Sequence, residues 1–174
     1  MHGRVRSPSA VVGGMAAVRE EVLIEAPYVQ AAGAFERRLG LEGGAERGEC
    51  SLTLVAPVGG GREIARTVRA RTRRYPEANY TARYGIGWDG GSTAEGIPTP
   101  GFDGTVTLRA GEDYNRCEIV LEGTYAPPGG AVGTLFDEFA GRRIASSTLG
   151  ALLDGVGREL EAEHRDIEAG KRQV

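Results

Sequence analysis

The segment from Glu122 to Gly141 constrains the fold more than any other part of the sequence, because its hydrophobic period changes within a few residues. It reads EGTYAPPGGAVGTLFDEFAG. Up to Tyr125 the apolar residues alternate as in a β-strand, and after the Pro-Gly corner they recur every three to four residues as in an amphipathic helix. The apolar face of residues 132–139 continues almost in register into a long helix predicted from Arg142 to His164, roughly 34 Å at 1.5 Å per residue. A sheet covered by one large helix must curl around it, so the corner is expected to swing the chain from the last strand onto the mouth of the sheet.

The residues before this corner predict a strand, a short helix and about five further antiparallel strands. The first strand is REEVLIEA, Arg19 to Ala26, and Pro27 ends its ladder because proline donates no hydrogen bond. A short amphipathic helix follows and ends near Gly40. Beyond it, ECSLTLVAPV and REIARTVRARTRRY predict a hairpin, NYTARYGIGWDG a strand, residues 89–101 a long loop, and residues 102–125 two strands. The predicted fold class is α+β: a curved antiparallel β-sheet that grips a long C-terminal helix, with a short helix after the first strand.

Composition excludes several classes of function. The chain has 174 residues, a net charge of -3 and a pI of about 5.5, whereas nucleic-acid-binding proteins usually carry a basic patch. No apolar run approaches the ~20 residues that span a bilayer. The sequence holds two histidines, and its two cysteines, Cys50 and Cys117, stand in no metal-binding spacing. We therefore expect no metal, no cofactor, no nucleic-acid partner and no integral membrane segment.

The two ends of the chain differ from the middle. Residues 1–16 show no periodicity and no convincing signal peptide, so we expect a disordered tail there, with Met15 as an alternative start to Met1. Residues 169–174 are expected to form a second disordered tail, which leaves residues 17–168 as a single domain. Without a secretory signal we expect a cytoplasmic protein, and the composition rich in arginine, glycine and alanine indicates a bacterial source with a GC-rich genome. The oligomeric state stays open.

Three structural motifs suggest a family. They are VLIEAPYVQAAGAFE, LEGTYAPPGGAVGTLFD and IASSTLGALLDGVGREL. Together they resemble the helix-grip superfamily, which includes START lipid-transfer domains, polyketide cyclase-like proteins and the birch-pollen allergen type, and the resemblance covers roughly Val18 to Glu163. It implies a hydrophobic pocket between the sheet and the long helix, with an apolar or amphipathic small molecule as the partner. The motifs are structural, so no catalytic residue and no subfamily carries over.

Strand alternation predicts which side chains face the space under the helix. Tyr80, Tyr84 and Trp88 fall at alternate positions of one strand, and such rings suit an amphipathic ligand because each joins a large apolar body to one polar atom. Plain core packing explains the same pattern. The loop that follows Trp88 is expected to act as a lid over the pocket mouth. The predicted pocket-lining residues are Arg66, Tyr80, Tyr84, Trp88, Val106, Leu108, Ile119, Leu121, Tyr125, Phe136, Phe139, Leu149 and Leu152.

Arg66 is the charged member of this set. Arg66 and Val68 are two residues apart on the same strand, so their side chains are expected on the same face. Arg66 either faces the pocket and meets an anionic group, or it belongs to a solvated outer face. The remaining arginines of the same run, Arg69, Arg71, Arg73 and Arg74, are predicted mostly on the outer face. On the long helix we expect the sheet-facing side to hold Leu149, Leu152, Val156 and Leu160.

Three functions are compatible with these residues. The leading interpretation is binding or carriage of a hydrophobic or amphipathic small molecule in a cavity between the sheet and the C-terminal helix. One alternative is a cyclase- or dehydratase-like enzyme that acts on an aromatic or polyketide-type substrate, with tyrosine and arginine as acid or electrostatic groups. A further alternative is a protein-interaction module whose cavity is filled. Two or more convergent polar groups in an enclosed pocket would favour the enzyme, and an open apolar pocket would favour the carrier.

Overall fold

The computed structural model describes residues 16–59, 62–92, 98–126 and 135–172, and within these ranges the side chains of 56–59, 62, 92, 98–99, 135–142 and 144 are left undescribed. The elements follow one another as β1 Ala16–Ile24, α1 Tyr28–Arg38, a 3-10 turn Glu42–Gly44, β2 Arg47–Gly59, β3 Arg62–Arg74, β4 Thr81–Trp88, β5 Gly91–Ser92, β6 Pro98–Thr99, β7 Gly101–Ala110, β8 Cys117–Ala126 and α2 Leu135–Lys171.

Six strands form one antiparallel sheet in the order β1-β8-β7-β4-β3-β2. With the short α1 after the first strand and the long α2 at the end, this arrangement confirms the predicted α+β fold. The predicted hairpin is formed by β2 and β3, which pair along almost their whole length. β3 pairs with β4 only over residues 71–74, so the far part of the hairpin extends beyond the end of β4.

The long helix bridges the two edges of this sheet. α2 has 37 residues, about 55 Å at 1.5 Å per residue. Its backbone contacts the edge strands β1 and β2 and touches β8 slightly, and among the described residues its backbone contact with β3, β4 and β7 is marginal at most. On a flat sheet β1 and β2 would lie about 24 Å apart, which is five spacings of about 4.8 Å and about twice the width of a helix. The sheet therefore curls until both edges meet α2.

The short helix closes one end of the curled sheet. α1 buries Tyr28, Ala31, Ala34 and Phe35, which recur at the three- and four-residue spacing of one helical face. Its outer side is tied to α2 by two ion pairs, Arg37–Glu163 and Arg38–Glu159, and by a 2.5 Å contact between Gln30 Oε1 and His164 Nδ1. α1 and the C-terminal half of α2 thus cover the same end of the sheet.

Several element boundaries differ from the prediction. β1 begins at Ala16, three residues before the predicted start, because its ladder with β8 extends to Tyr125. α2 is continuous to Lys171, and its exposed end carries an Arg165–Glu161 pair and a Lys171–Glu168 pair, at spacings that stabilise helices. The predicted loop of residues 89–101 contains the short β5–β6 pair. The tail predicted for residues 1–16 lies outside the described residues apart from Ala16.

The buried face of α2 consists of apolar side chains at helical spacing. Ala145, Leu149, Leu153 and Leu160 are buried, whereas Leu152 and Val156 are half-buried. Gly157 is buried on the same side, and a Cβ atom there would lie in ordinary contact, 3.5 Å from Val22 Cγ2 on β1. All four residues predicted to face the sheet thus belong to the core or pack against it, Leu152 and Val156 only in part.

We expect Leu149→Ala to lower the free energy of unfolding by about 2–5 kcal/mol, because it removes a fully buried side chain and leaves a cavity. Leu152→Ala is the matched control and should cost less, on the order of 1 kcal/mol, because that side chain keeps part of its contact with water. Urea denaturation of both variants measures the difference. An equal or larger loss for Leu152→Ala would show that the helix face has been assigned incorrectly.

Candidate functional site beneath the long helix

A row of aromatic side chains crosses the concave face at the end of the sheet opposite α1. Trp88 on β4 is paired with Phe102 on β7, which is paired with Tyr125 on β8. All three are buried, and the Trp88 and Phe102 rings stack with their centroids 4.8 Å apart. Trp88 Nε1 donates a hydrogen bond of 3.0 Å to the carbonyl oxygen of Pro100. The ring is therefore fastened to the connection between β4 and β7, within the loop of residues 89–101 that was predicted to be a lid.

The next row contains two glycines that the sequence analysis overlooked. Gly104 on β7 is paired with Gly123 on β8. A Cβ atom at Gly104 would collide with the carbonyl oxygen of Glu122 and lie 2.7 Å from Phe102 Cζ, and one at Gly123 would lie 2.6 Å from the same ring atom. Glycine inside a strand often marks a tight bend, and here it also lets the Phe102 ring lie down against the sheet. An isolated glycine within an alternating strand is the sequence feature that identifies such a position.

Gly104→Ala should lower the free energy of unfolding by about 2 kcal/mol or more, because the added methyl group meets backbone and ring atoms that have no room to move. Gly91→Ala is the control, since a Cβ atom at Gly91 has nothing within 4 Å. It should change stability by less than about 0.5 kcal/mol. Thermal and urea unfolding of both variants provide the comparison, and an unchanged stability of Gly104→Ala would contradict the close contact.

The end of the concave face under α1 is closed by a polar cluster. Tyr84 is fully buried, its ring meets Phe35 edge-on, and its hydroxyl donates to Glu36 Oε1 at 3.1 Å. The other oxygen of Glu36 lies 2.6 Å from Arg74 Nη2, which also donates to the carbonyl oxygen of Leu41 at 2.9 Å. Burial, and then the negative charge of Glu36, raise the pKa of Tyr84 well above its usual range. The Tyr84 hydroxyl is thus protonated and engaged in holding α1.

Two predictions from alternation are corrected here. Tyr80 does not lie on the concave face: it precedes β4, has a φ of 54°, and is 55% exposed. Ala78 and Thr81 form an isolated bridge across the turn that holds Tyr80, so strand alternation does not extend back to this residue. Arg74 belongs to the inward parity of β3 and is half-buried beneath α1, not part of the solvated face. Arg69, Arg71 and Arg73 do lie on the exposed outer face, as predicted.

The structure brings most of the other predicted residues onto the concave face or the helix above it. Arg66 on β3 is paired with the buried Leu54 and is half-buried itself. Phe136 and Phe139 belong to α2, but their side chains lie outside the described part of the structure. The buried members of the predicted set are Tyr84, Trp88, Val106, Leu108, Ile119, Leu121, Tyr125 and Leu149.

Two polar side chains near α2 are absent from the predicted set. Glu20 on β1 is half-buried and paired with Leu121, and its Oε2 lies 3.6 Å from where a Cβ atom on Gly150 would be. Glu20 stands between Val18 and Val22 at alternate positions of β1, and this alternation is the sequence feature that places it on the same face. Thr148 Oγ1 is buried and has no hydrogen-bond partner within the described residues. Both groups can serve a polar atom that enters beneath or beside the helix.

The described residues offer little for metal chemistry or for membrane insertion. No group of three or more His, Cys, Asp or Glu side chains among them could hold a metal ion. None of the helices in the described ranges is both long and apolar enough to cross a membrane.

Cys117 is a packing residue at the α1 end of the concave face. It is fully buried between its neighbours on β1 and β7, Ile24 and Ala110. Burial, with a smaller effect of the Glu161 charge, raises the pKa of its thiol to about 12. The unfolded chain therefore loses this proton at lower pH than the folded chain does. The contribution of Cys117 to stability is complete below about pH 9 and is lost as the pH rises towards 12.

We expect Cys117→Ala to flatten the alkaline loss of stability. Between about pH 9 and 11, the free energy of unfolding of the variant should fall less steeply with pH, by up to about 1.4 kcal/mol per pH unit, which corresponds to one proton. Cys50→Ala is the comparison: burial also raises the pKa of this half-buried thiol, but less than that of Cys117, so the slope should change less. Urea titrations at several pH values measure the slopes, and equal slopes for Cys117→Ala and the original protein would contradict the assignment.

No protein-family model matches the sequence, and no curated protein sequence matches it. Among solved structures, the chain is similar to TTHA0849 from Thermus thermophilus, with 17% identity and a TM-score of 0.49 over 85% of this chain and 99% of that chain. It is also similar to the ZhuI aromatase/cyclase from Streptomyces sp. R1128, with 14% identity and a TM-score of 0.46 over 87% and 94% of the two chains. A third similar structure is Ara h 8.0201, with 16% identity and a TM-score of 0.39 over 88% and 99%. Similarities at this level assign no residue role and no ligand to this chain.

Proposed function

We propose that this protein binds or carries a hydrophobic or amphipathic small molecule between the concave face of its sheet and α2. The observation that carries the proposal is the bridging of the sheet by the helix. α2 meets β1 and β2 at the two edges, while within the described residues its backbone has at most marginal contact with β3, β4 and β7. A curled sheet spanned in this way favours a binding space over the middle strands.

The chemistry of the concave face suits an apolar ligand body. Trp88, Phe102 and Tyr125 supply aromatic surface at the end away from α1, and Val106 and Leu121 continue it towards the middle of the sheet. The glycine pair, Gly104 and Gly123, keeps Phe102 close to the sheet, which favours free volume under the helix. Burial of apolar ligand surface contributes about 25 cal/mol per Å².

The ligand is proposed to enter at the aromatic end of the sheet. At the α1 end, the contacts of Tyr84 with Phe35 and Glu36 close the concave face. At the aromatic end, Arg66 is half-buried and can meet an anionic or polar group of an amphipathic ligand. Phe136, Phe139 and Leu152 stay predictions for the helix side of the site.

A second candidate is a cyclase- or dehydratase-like enzyme acting on an aromatic or polyketide-type substrate. The observation that favours it is the presence of two half-buried charged groups, Glu20 and Arg66, at inward positions of the sheet. A carboxylate and a guanidinium can act as a proton-transfer group and an electrostatic group, respectively. Mass spectrometry of small molecules that copurify with the protein separates the two candidates, because carriage leaves the ligand unchanged and catalysis converts it.

An environment-sensitive apolar dye should bind with micromolar affinity, about -8 kcal/mol, and should quench or shift the fluorescence of Trp88, the single tryptophan. Val68→Phe adds volume on the concave face and should raise the dissociation constant at least tenfold. Thr67→Phe is the matched control, because its side chain lies on the exposed face of the same strand. Binding should be unchanged in that variant.

Circular dichroism and thermal unfolding establish that both variants keep the fold. The proposal is wrong if no compound of a broad apolar panel perturbs Trp88. It is also wrong if both phenylalanine variants weaken binding equally, since the effect would then not come from the concave face.

A further inference from the structure

The convex face of the sheet carries three arginines around one tyrosine. The Tyr75 ring lies between Arg73 and Arg83, whose guanidinium carbons are 5.5 Å and 5.6 Å from the ring centroid. Arg47 on β2 is directly paired with Arg73 on β3. All three arginine side chains are exposed and Tyr75 is half-buried. We call Arg47, Arg73, Arg83 and Tyr75 the arginine patch.

Four carboxylates are paired with other arginines of this face. Glu49 lies 3.7 Å from Arg69, Asp89 holds Arg71 at 2.6 Å, and the remaining pairs are Arg109–Glu118 and Arg19–Glu122. Asp103 lies over Gly87 and acts on Arg71. Among the described residues, no carboxylate pairs with Arg47, Arg73 or Arg83.

Like charges directly opposite each other on neighbouring strands destabilise a sheet. The Arg47–Arg73 pair therefore carries a repulsion that no carboxylate of the described residues relieves. Tyr75 holds two of the three guanidinium groups in place through cation–π contacts, which fixes their positions without neutralising them. An anion placed among them would relieve the repulsion.

Hydroxyl donors lie beside these charges. A Cβ atom at Gly85 would lie 3.2 Å from Tyr75 Oη, so the tyrosine hydroxyl rests over the bare backbone of β4. Within the described part of the chain this hydroxyl has no hydrogen-bond partner. Thr105 and Thr107 on β7 are paired with Gly85 and Arg83 and share the convex face. Guanidinium forks and hydroxyl donors together match the oxygens of a tetrahedral anion.

We propose that the arginine patch binds the phosphate group of a phosphate monoester. The dianionic phosphate would accept hydrogen bonds from Arg73 and Arg83 and a further bond from the Tyr75 hydroxyl, and Arg47 would add its charge. The patch is on the opposite side of the sheet from the proposed ligand space, so this inference does not depend on the proposed function. A soluble monoester and a lipid headgroup share this chemistry, and the experiment distinguishes them.

The test is a titration of ¹⁵N-labelled protein with glycerol phosphate at constant ionic strength, followed through the amide resonances of Arg73, Arg83 and Gly85. We expect saturable shifts with a dissociation constant of about 1 mM or lower. Arg73→Gln/Arg83→Gln should raise this constant at least tenfold. The matched control is Arg69→Gln/Arg109→Gln, which removes the same charge from the same face at two arginines that have carboxylate partners. It should change the constant less than twofold.

Flotation with phosphatidylcholine vesicles, with and without phosphatidic acid, identifies the source of the phosphate. Binding of glycerol phosphate alone supports a soluble monoester, and additional recruitment to the phosphatidic acid vesicles supports a lipid headgroup. Three results overturn the proposal: no saturable shift, equal shifts with chloride at the same ionic strength, which would mean an adventitious ion only, or an equal loss in the control variant. All variants exchange exposed side chains, and circular dichroism verifies their fold.

Discussion

The fold depends on one geometrical constraint: a single helix must touch both edges of a six-stranded sheet. A flat sheet of this width would leave its edges about 24 Å apart, so contact of α2 with β1 and β2 requires strong curvature. Paired glycines at Gly104 and Gly123 lie on the neighbouring inner strands β7 and β8, where side chains would obstruct such a bend. On the helix, the buried Gly157 lies beside Val22 of β1. The curvature of the sheet and the placement of Gly104 and Gly123 thus serve the same contact of α2 with both edge strands.

The curled sheet is closed differently at its two ends. At one end, α1 is held by the hydrogen bonds and ion pair that join Tyr84, Glu36 and Arg74, and these groups satisfy one another where water is largely excluded. At the other end, the concave face presents the stacked rings of Trp88 and Phe102, and the polar atom of Trp88 is bonded to Pro100. The polar closure at one end and the aromatic surface at the other are the basis for proposing ligand entry at the aromatic end.

Sequence periodicity predicted the order of the elements and the inward face of most strands, because each strand has one buried side and alternation reports it directly. It failed at Tyr80, since a turn with positive φ at Asn79 and Tyr80 stops the alternation. Glu20 and Arg74 were missed although alternation along β1 and β3 places both side chains inward. The partner of an inward-facing charge depends on tertiary structure, which alternation along one strand does not report. Glu36 reaches Arg74 only because α1 packs over β3. The full length of α2 was also missed, since its last turns have no buried face and are supported by local ion pairs.

The charges of β3 also explain why the register of its hairpin with β2 is strongly specified. Arg69, Arg71 and Arg73 alternate with Val68, Ala70 and Thr72, so a slip of one residue would place three guanidinium groups on the concave face and three buried residues in water. Inward arginine therefore requires a specific reason at each position where it occurs. At Arg74 the reason is Glu36 and the carbonyl oxygen of Leu41, which together hold α1 against the sheet. Arg66, at the same parity eight residues earlier, lies on the part of the hairpin that extends beyond β4, away from α1. The support of α1 therefore belongs to Arg74 and does not extend to Arg66.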